Sequence, residues 1–269
     1  MTTVLKLGGE LLEDAARLAR LAAEIAALAE RETVIVVHGG GKTIDAELSA
    51  KGLGKRAIDG VRVTDAPTLD VAVAVLAGLM NTRLVAAIVA AGGRAVGLTG
   101  ADDGLGLSEL AAPYEAADGT FVDLGFVGRP LPGRVPRLLI DLCARGYLPV
   151  VASIGASDGG GLLNVNADTF AAYLAAGVGA ARLFIAGGTA GVLDSAGRTI
   201  PCLDVEAIDG LVVGGEAHSG MVAKLGACRD AWLGGVRDVR IFDARDSLAF
   251  DGPDATILTG PEELVGRDT

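Results

Sequence analysis

The chain has 269 residues, 51% of them hydrophobic and 21% charged, which excludes a disordered protein and allows one sizeable core or two closely joined lobes. A formal net charge of -11 with no basic run argues against nucleic acid and anionic membrane surfaces, leaving small molecules as partners. Three widely spaced cysteines, Cys143, Cys202 and Cys228, give neither a disulfide framework nor a zinc cluster and fit a reducing cytoplasm.

In chain order, Val4, Leu5 and Leu7 form a first strand that runs into Gly8 and Gly9, with Lys6 set among the apolar residues. Leu12 to Glu30 carries a helical stripe at Leu18, Leu21, Ala22, Ile25 and Leu28 and reads as a crossover helix between parallel strands. Val34 to Val37 is an unbroken β-branched run without polar alternation, as a strand buried on both faces of a parallel sheet requires. It ends at Gly39, Gly40 and Gly41, and a helix from Lys42 to Lys51 follows. Glycines without a Cβ beside a helix N-terminus let backbone N–H groups approach an anion, so this stretch has the form of a phosphate cradle. The two strand ends are expected to share one crevice.

Gly52 to Thr64 reads as a small hairpin that places Arg62 on one face, where its planar fork suits a carboxylate. Pro67 opens a long apolar helix to about Ala91. Its apolar run Val71 to Met80, and the next from Leu84 to Gly93, are separated by Asn81, Thr82 and Arg83, and each is too short to span a bilayer. No signal peptide precedes Lys6. Arg94 to Leu98 is a third strand. Leu107 to Gly133 reads as a β-rich insertion or lid with a strand at Leu124 to Val127. A helix follows Pro136 and stops before Gly146. Leu148 to Ala152 is a strand, Ser153 to Asp168 a turn cluster, and Ala167 to Val178 a helix. Leu183 to Ala186 is a strand ending at Gly187 and Gly188, Asp204 to Leu211 and Gly220 to Leu233 are helices, and Val239 to Phe242 and Thr256 to Leu258 close the sheet. The fold class is α/β, without internal repeats or a domain linker.

Gly41, Lys42 and Thr43 imitate the end of a P-loop, but that motif needs glycine where Val36 stands. No dinucleotide fingerprint is present, and His38 and His218 lack companions at metal-ligand spacing. The chain has five lysines against 18 arginines, and a compact ammonium suits a transferring phosphoryl group. Lys6 on its apolar strand is costly to bury unpaired and is read as functional because glycines flank it. Asp168, gathered with Asn164 and Asn166 at a helix start, reads equally as an ordinary cap.

Together these positions resemble the amino-acid kinase family and, within it, the members that act on N-acetylglutamate. The resemblance covers nearly the whole chain: KLGG at Lys6, VVHGGG at Val36, GVRVT at Gly60, AVGLTG at Ala95, GYLPVV at Gly146, NVNAD at Asn164 and GMVAK at Gly220. GVRVT with NVNAD is its specific part. The glycine turns are shared with aspartate, carbamate, uridylate and glutamate kinases.

The resemblance implies a three-layer α/β/α sandwich on a mainly parallel sheet, with the acyl-amino acid in about residues 1–165 and ATP in about 166–269. It implies phosphorylation of the side-chain carboxylate of N-acetyl-L-glutamate, in arginine biosynthesis. Gly40, Gly41, Arg62 and Asn164 would hold the acceptor. Gly8, Gly9, Gly187, Gly188, Gly191, Gly220 and Met221 would lie at the phosphates and nucleotide. Lys6 and Lys224 would stabilise the transferring phosphoryl group, with Asp168 orienting both. Mg2+ would travel with ATP, since no protein cage for it is visible.

Two departures stand out: Gly187, Gly188 and Thr189 replace the usual Thr-Asp-Val, and Ser219 replaces a glycine before Gly220. Relatives that form arginine-inhibited hexamers carry an extra N-terminal helix, whereas the first strand here begins by about Thr3, so a cytoplasmic homodimer without arginine inhibition is expected. Two alternatives remain open: a kinase of a related acceptor such as an aminoadipate derivative, and a non-catalytic ligand-binding member of the fold.

Overall fold

The computed structural model describes residues 1–58, 61–116, 119–213, 220–248, 250 and 255–260. Gly60, His218 and Ser219, singled out from the sequence, lie outside the described residues.

Eight strands form the central sheet: β1 (Thr2–Leu7), β2 (Thr33–His38), β3 (Ala95–Thr99), β6 (Leu148–Ala152), β9 (Arg182–Gly187), β10 (Cys202–Leu203), β11 (Asp238–Asp243) and β12 (Thr256–Leu258). Their order is β10-β12-β11-β9-β1-β2-β6-β3. Every pairing is parallel except β11 with β12. Strand alternation explains the unbroken apolar run in β2: Val34 and Val36 enter the core on one face, Ile35 and Val37 the core on the other.

The first face is covered by α1 (Ala15–Ala29), α2 (Gly41–Ala50) and the helix Ala66–Ala90, here α3. The second is covered by α4 (Arg137–Ala144), α5 (Ala167–Gly177), α6 (Val205–Val213) and α7 (Gly220–Leu233). The three layers match the expected sandwich. Along β1, Leu5 and Leu7 serve the first core and Val4 the second, so Lys6 shares the face of Val4 and points towards α5.

The long helix expected from Pro67 to about Ala91 is present as Ala66–Ala90, and three other features differ from the sequence reading. As a whole, this 25-residue helix is, by length and composition, long and apolar enough to cross a membrane, which neither of its two apolar runs is alone. Val71, Val75, Leu84 and Ile88 on its inner face are buried in the first core, as in a core helix. A π-helical segment, Ala74–Met80, lies in its middle. The strand placed at Leu124 to Val127 begins only at Val127, because Gly125 takes φ 69° and bridges Thr64 instead. The stretch from Ser153 to Asp168 is not all turn: β7 (Ile154–Ala156) and β8 (Leu162–Val165) pair within it. With β4 (Ser108–Leu110) and β5 (Val127–Pro130) they make a second sheet, ordered β7-β8-β5-β4, so the insertion is structured rather than loose. Finally, Asp168 does not cap its helix. Asn166 does, its side chain accepting from the N–H groups of Asp168 and Thr169.

Candidate active site

The carboxyl ends of the central parallel strands converge on a cavity of about 430 Å³ lined by residues of both cores and of the second sheet. Its floor is made of glycine backbone. Gly8 N–H donates to Ala186 O at 2.9 Å and Gly39 N–H to Leu7 O at 3.3 Å, so the turns after β1 and β2 are stitched to neighbouring strands. A Cβ on Gly9 would lie 2.5 Å from Gly40 Cα, and one on Gly40 would strike Met80 Sδ and come within 2.8 Å of Leu76 Cδ2. Close approach of main chains requires glycine at Gly9, whereas at Gly40 the space is taken by the Met80 and Leu76 side chains. Gly41, facing open space, begins α2, whose first-turn N–H groups face the cavity with Lys42 beside them.

Beside this floor, Asp168 joins two lysines. Lys6 Nζ is 2.7 Å from Oδ1 and Lys224 Nζ is 3.3 Å from Oδ2. Lys6 and Asp168 are each 5% exposed. Burial alone would raise the Asp168 carboxyl, but the two ammonium groups outweigh it and hold the pKa below the usual carboxylate value. The cluster carries two positive charges against one negative, leaving a net cation at the cavity wall. Lys6 comes from β1, Asp168 from the first turn of α5 and Lys224 from α7, so parallel strand packing and the α5–α7 contact assemble it.

On the opposite wall Arg62 ends a two-strand hairpin, Ala57–Ile58 with Val61–Arg62. Its Nη2 donates to Asp45 Oδ1 and to Gly41 O, while Nη1 is buried without a partner among the described residues. Lys55 Nζ stands 2.8 Å from Asp45 Oδ2. Burial of Asp45 opposes ionisation, but hydrogen bonds and charge from Lys55 and Arg62 hold its pKa low. Asn164 on β8 donates to Thr64 Oγ1 at 3.1 Å, which brings the GVRVT and NVNAD stretches into contact.

Of the residues selected from the sequence, Lys6, Gly8, Gly9, Gly40, Gly41, Arg62, Asn164, Asp168 and Gly220 line this one cavity. Lys224 reaches it through Asp168. Gly187 and Gly188 adjoin it at the end of β9, where Gly188 N–H donates to Glu10 Oε1 at 3.1 Å. Gly191 sits apart, in the left-handed region with φ 65° and packed on Thr199 and Thr256. Met221 packs against the second core. His38 is fully buried, its Nε2 3.1 Å from the Asn81 amide and Nδ1 3.3 Å from Gly39 O; burial lowers its pKa to about 4.

Glu10 and Asp45 were missed. The only signal for Glu10 was an acid directly after a glycine pair, and for Asp45 its place one helical turn after Gly41, which faces the same cavity.

The profile of the Amino acid kinase family matches residues 1–243. An acetylglutamate kinase of Novosphingobium aromaticivorans is 40% identical over 238 residues, covering 84% of this chain and 78% of that relative. An acetylglutamate kinase of Rhizorhabdus wittichii is 41% identical over 233 residues, covering 84% and 77%. Among solved structures, smu.665 from Streptococcus mutans superposes with a TM-score of 0.80 at 24% identity, covering 96% of this chain and 98% of that one, a likeness of fold. Because the family match runs through both halves of the central sheet and ends at the last residue of β11, the chain belongs to the amino acid kinase family.

Proposed function

We propose that this chain is an acetylglutamate kinase, transferring the γ-phosphoryl group of ATP to the side-chain carboxylate of N-acetyl-L-glutamate to give N-acetyl-L-glutamyl 5-phosphate and ADP in arginine biosynthesis. The observation that carries the reading is the pair of ammonium groups fixed on Asp168 beside the two glycine turns, in a chain about 40% identical to acetylglutamate kinases. A γ-carboxylate with pKa about 4.3 is already ionised at neutral pH, so no general base is needed. The barrier is repulsion between two anions. Lys6, Lys224 and the N–H groups of Gly9 and the α2 N-terminus lower it by stabilising charge on the transferring oxygens, with Asp168 holding both lysines in place.

In this reading Arg62 and Asn164, with Gly40 and Gly41, take the acceptor in the half of the chain before about residue 165. ATP lies over the later half, towards Gly187, Gly188, Gly191, Gly220 and Met221. Mg2+ enters with the nucleotide; among the described residues no group of three His, Cys, Asp or Glu side chains is arranged to hold a metal. The enzyme acts in the cytoplasm as a homodimer built partly on the outer face of α3, where Val89 is 52% exposed.

A coupled ADP-release assay offering N-acetylglutamate, glutamate, aspartate and N-acetylaminoadipate in parallel tests this. Turnover of N-acetylglutamate far above the others is expected. Equal or better turnover of another acceptor overturns the substrate, and no ADP release with any of them overturns the activity.

A further inference from the structure

Three carboxylates line the cavity: Glu10, Asp45 and Asp168. Two are already neutralised. Asp168 is held by Lys6 and Lys224, and Asp45 by Arg62 and Lys55. Glu10 has no ion pair among the described residues. Its Oε1 accepts the Gly188 N–H at 3.1 Å, and Oε2 takes no hydrogen bond from a described residue. The carboxylate folds back over the β1 glycine turn, so that a Cβ on Gly8 would lie 2.6 Å from Glu10 Cδ. On its other side a Cβ on Gly187 would lie 3.4 Å from Glu10 Oε1 and 4.0 Å from Lys224 Cε, so carboxylate and lysine flank the same point.

This places a negative charge on the backbone cradle that the kinase reading assigns to polyphosphate. Two like charges at such range repel, and a divalent cation between them turns the repulsion into attraction. Kinases bind Mg2+ through one or two carboxylates together with the phosphates of the nucleotide. We propose that Glu10 is the protein ligand for the Mg2+ carried by ATP, with Oε2 facing the metal while Oε1 keeps the β1 and β9 turns together. The proposal rests on the kinase reading and adds to it a metal ligand and a reason for an acidic residue at this turn.

Glu10→Gln separates the two roles of the side chain. The amide oxygen still accepts from Gly188, so the turn is kept, but the charge and the metal-binding oxygen are lost. Calorimetric binding of ATP to the full-length protein, without acceptor, is measured in excess Mg2+ and in EDTA, with melting temperature as the check on folding. The wild type is expected to bind Mg-ATP more tightly than metal-free ATP. In Glu10→Gln that ratio is expected to shrink by roughly 10- to 100-fold, the scale of losing one member of a metal site. Metal-free ATP should bind the variant at least as tightly as it binds the wild type, because the repelling charge is gone. An unchanged ratio in a folded variant, or wild-type preference for metal-free ATP, overturns the role of Glu10. If such a protein still turns over N-acetylglutamate, the kinase reading stands and only this proposal falls; if the wild type binds neither form of ATP, both fall.

Discussion

Gly9 and Gly40 pack backbone to backbone, with room for no more than hydrogen between a Gly9 Cα substituent and the Gly40 Cα 2.5 Å from its Cβ position. The turns after β1 and β2 therefore form one surface, supported from below by Leu76 and Met80 in the π-helical segment of α3. Gly9→Ala should push the turns apart and destabilise the fold by about 1–3 kcal/mol, the usual cost of overpacking. Gly41→Ala, whose Cβ would meet nothing within 4 Å, is the control and should stay within about 0.5 kcal/mol of wild type. Urea unfolding of the two variants decides it; equal stabilities would mean that the turns are not in contact.

Lys6 and Lys224 meet on Asp168, and both are assigned to charge present chiefly in the transition state. Alanine at either should lower kcat by roughly 100- to 1000-fold, as loss of one oxyanion donor does, and change KM much less. A variant with unchanged kcat removes that lysine from the mechanism.

Asp45 anchors one end of the Arg62 guanidinium and leaves buried Nη1 for an acceptor carboxylate. Asp45→Asn keeps an oxygen for the contact but loses the charge. It should raise KM for the acceptor roughly tenfold, as loss of a charge-assisted hydrogen bond does, and leave KM for ATP unchanged. Arg62→Ala should give the same selective effect, larger. Equal rises in both KM values would place this wall at the nucleotide instead.

His38 supplies a pH dependence of stability. Its folded pKa, about 4, lies below the ordinary 6.5, so the unfolded chain takes up a proton first as pH falls. Its contribution is intact above about pH 6.5 and is lost at about 1.4 kcal/mol per pH unit as pH drops from there towards 4. His38→Gln should have a shallower loss of stability between pH 7 and pH 5 than wild type in matched urea titrations. Parallel pH profiles would show that the ring is protonated without cost.

Gly188 and Gly191 look alike in sequence but differ in space. Gly188 lies outside the left-handed region, and a Cβ there would meet Arg245 Cδ at 3.6 Å and Glu10 Cγ at 3.7 Å, ordinary contacts. Gly191 has φ 65°, and its Cβ would come 2.9 Å from both Thr199 Cγ2 and Thr256 N. Gly188→Asp should therefore melt within a few degrees of wild type, whereas Gly191→Asp should lose at least about 1–3 kcal/mol to backbone strain and crowding. Equal melting temperatures would contradict this distinction.

The sequence by itself determined the order of strands and helices, the parallel character of the sheet and the glycine turns, because these depend on period, β-branching and missing Cβ atoms that any single stretch carries. It misplaced the strand near Leu124 because a glycine at positive φ and a bridge to Thr64 are set by a partner distant in the chain. It ran α3 unbroken past polar Asn81 to about Ala91, and the tertiary fold shows why that residue is tolerated there, burying its side chain against His38 and the Val150 carbonyl. The charges at the site were visible as residue types, but their pairing was not. Lys6, Asp168 and Lys224 are brought together by β1, α5 and α7, while Asp45 and Glu10 acquire their surroundings only when separate turns close on one cavity. An ion pair depends on distance in space, and that distance is fixed by how the layers pack rather than by spacing along the chain.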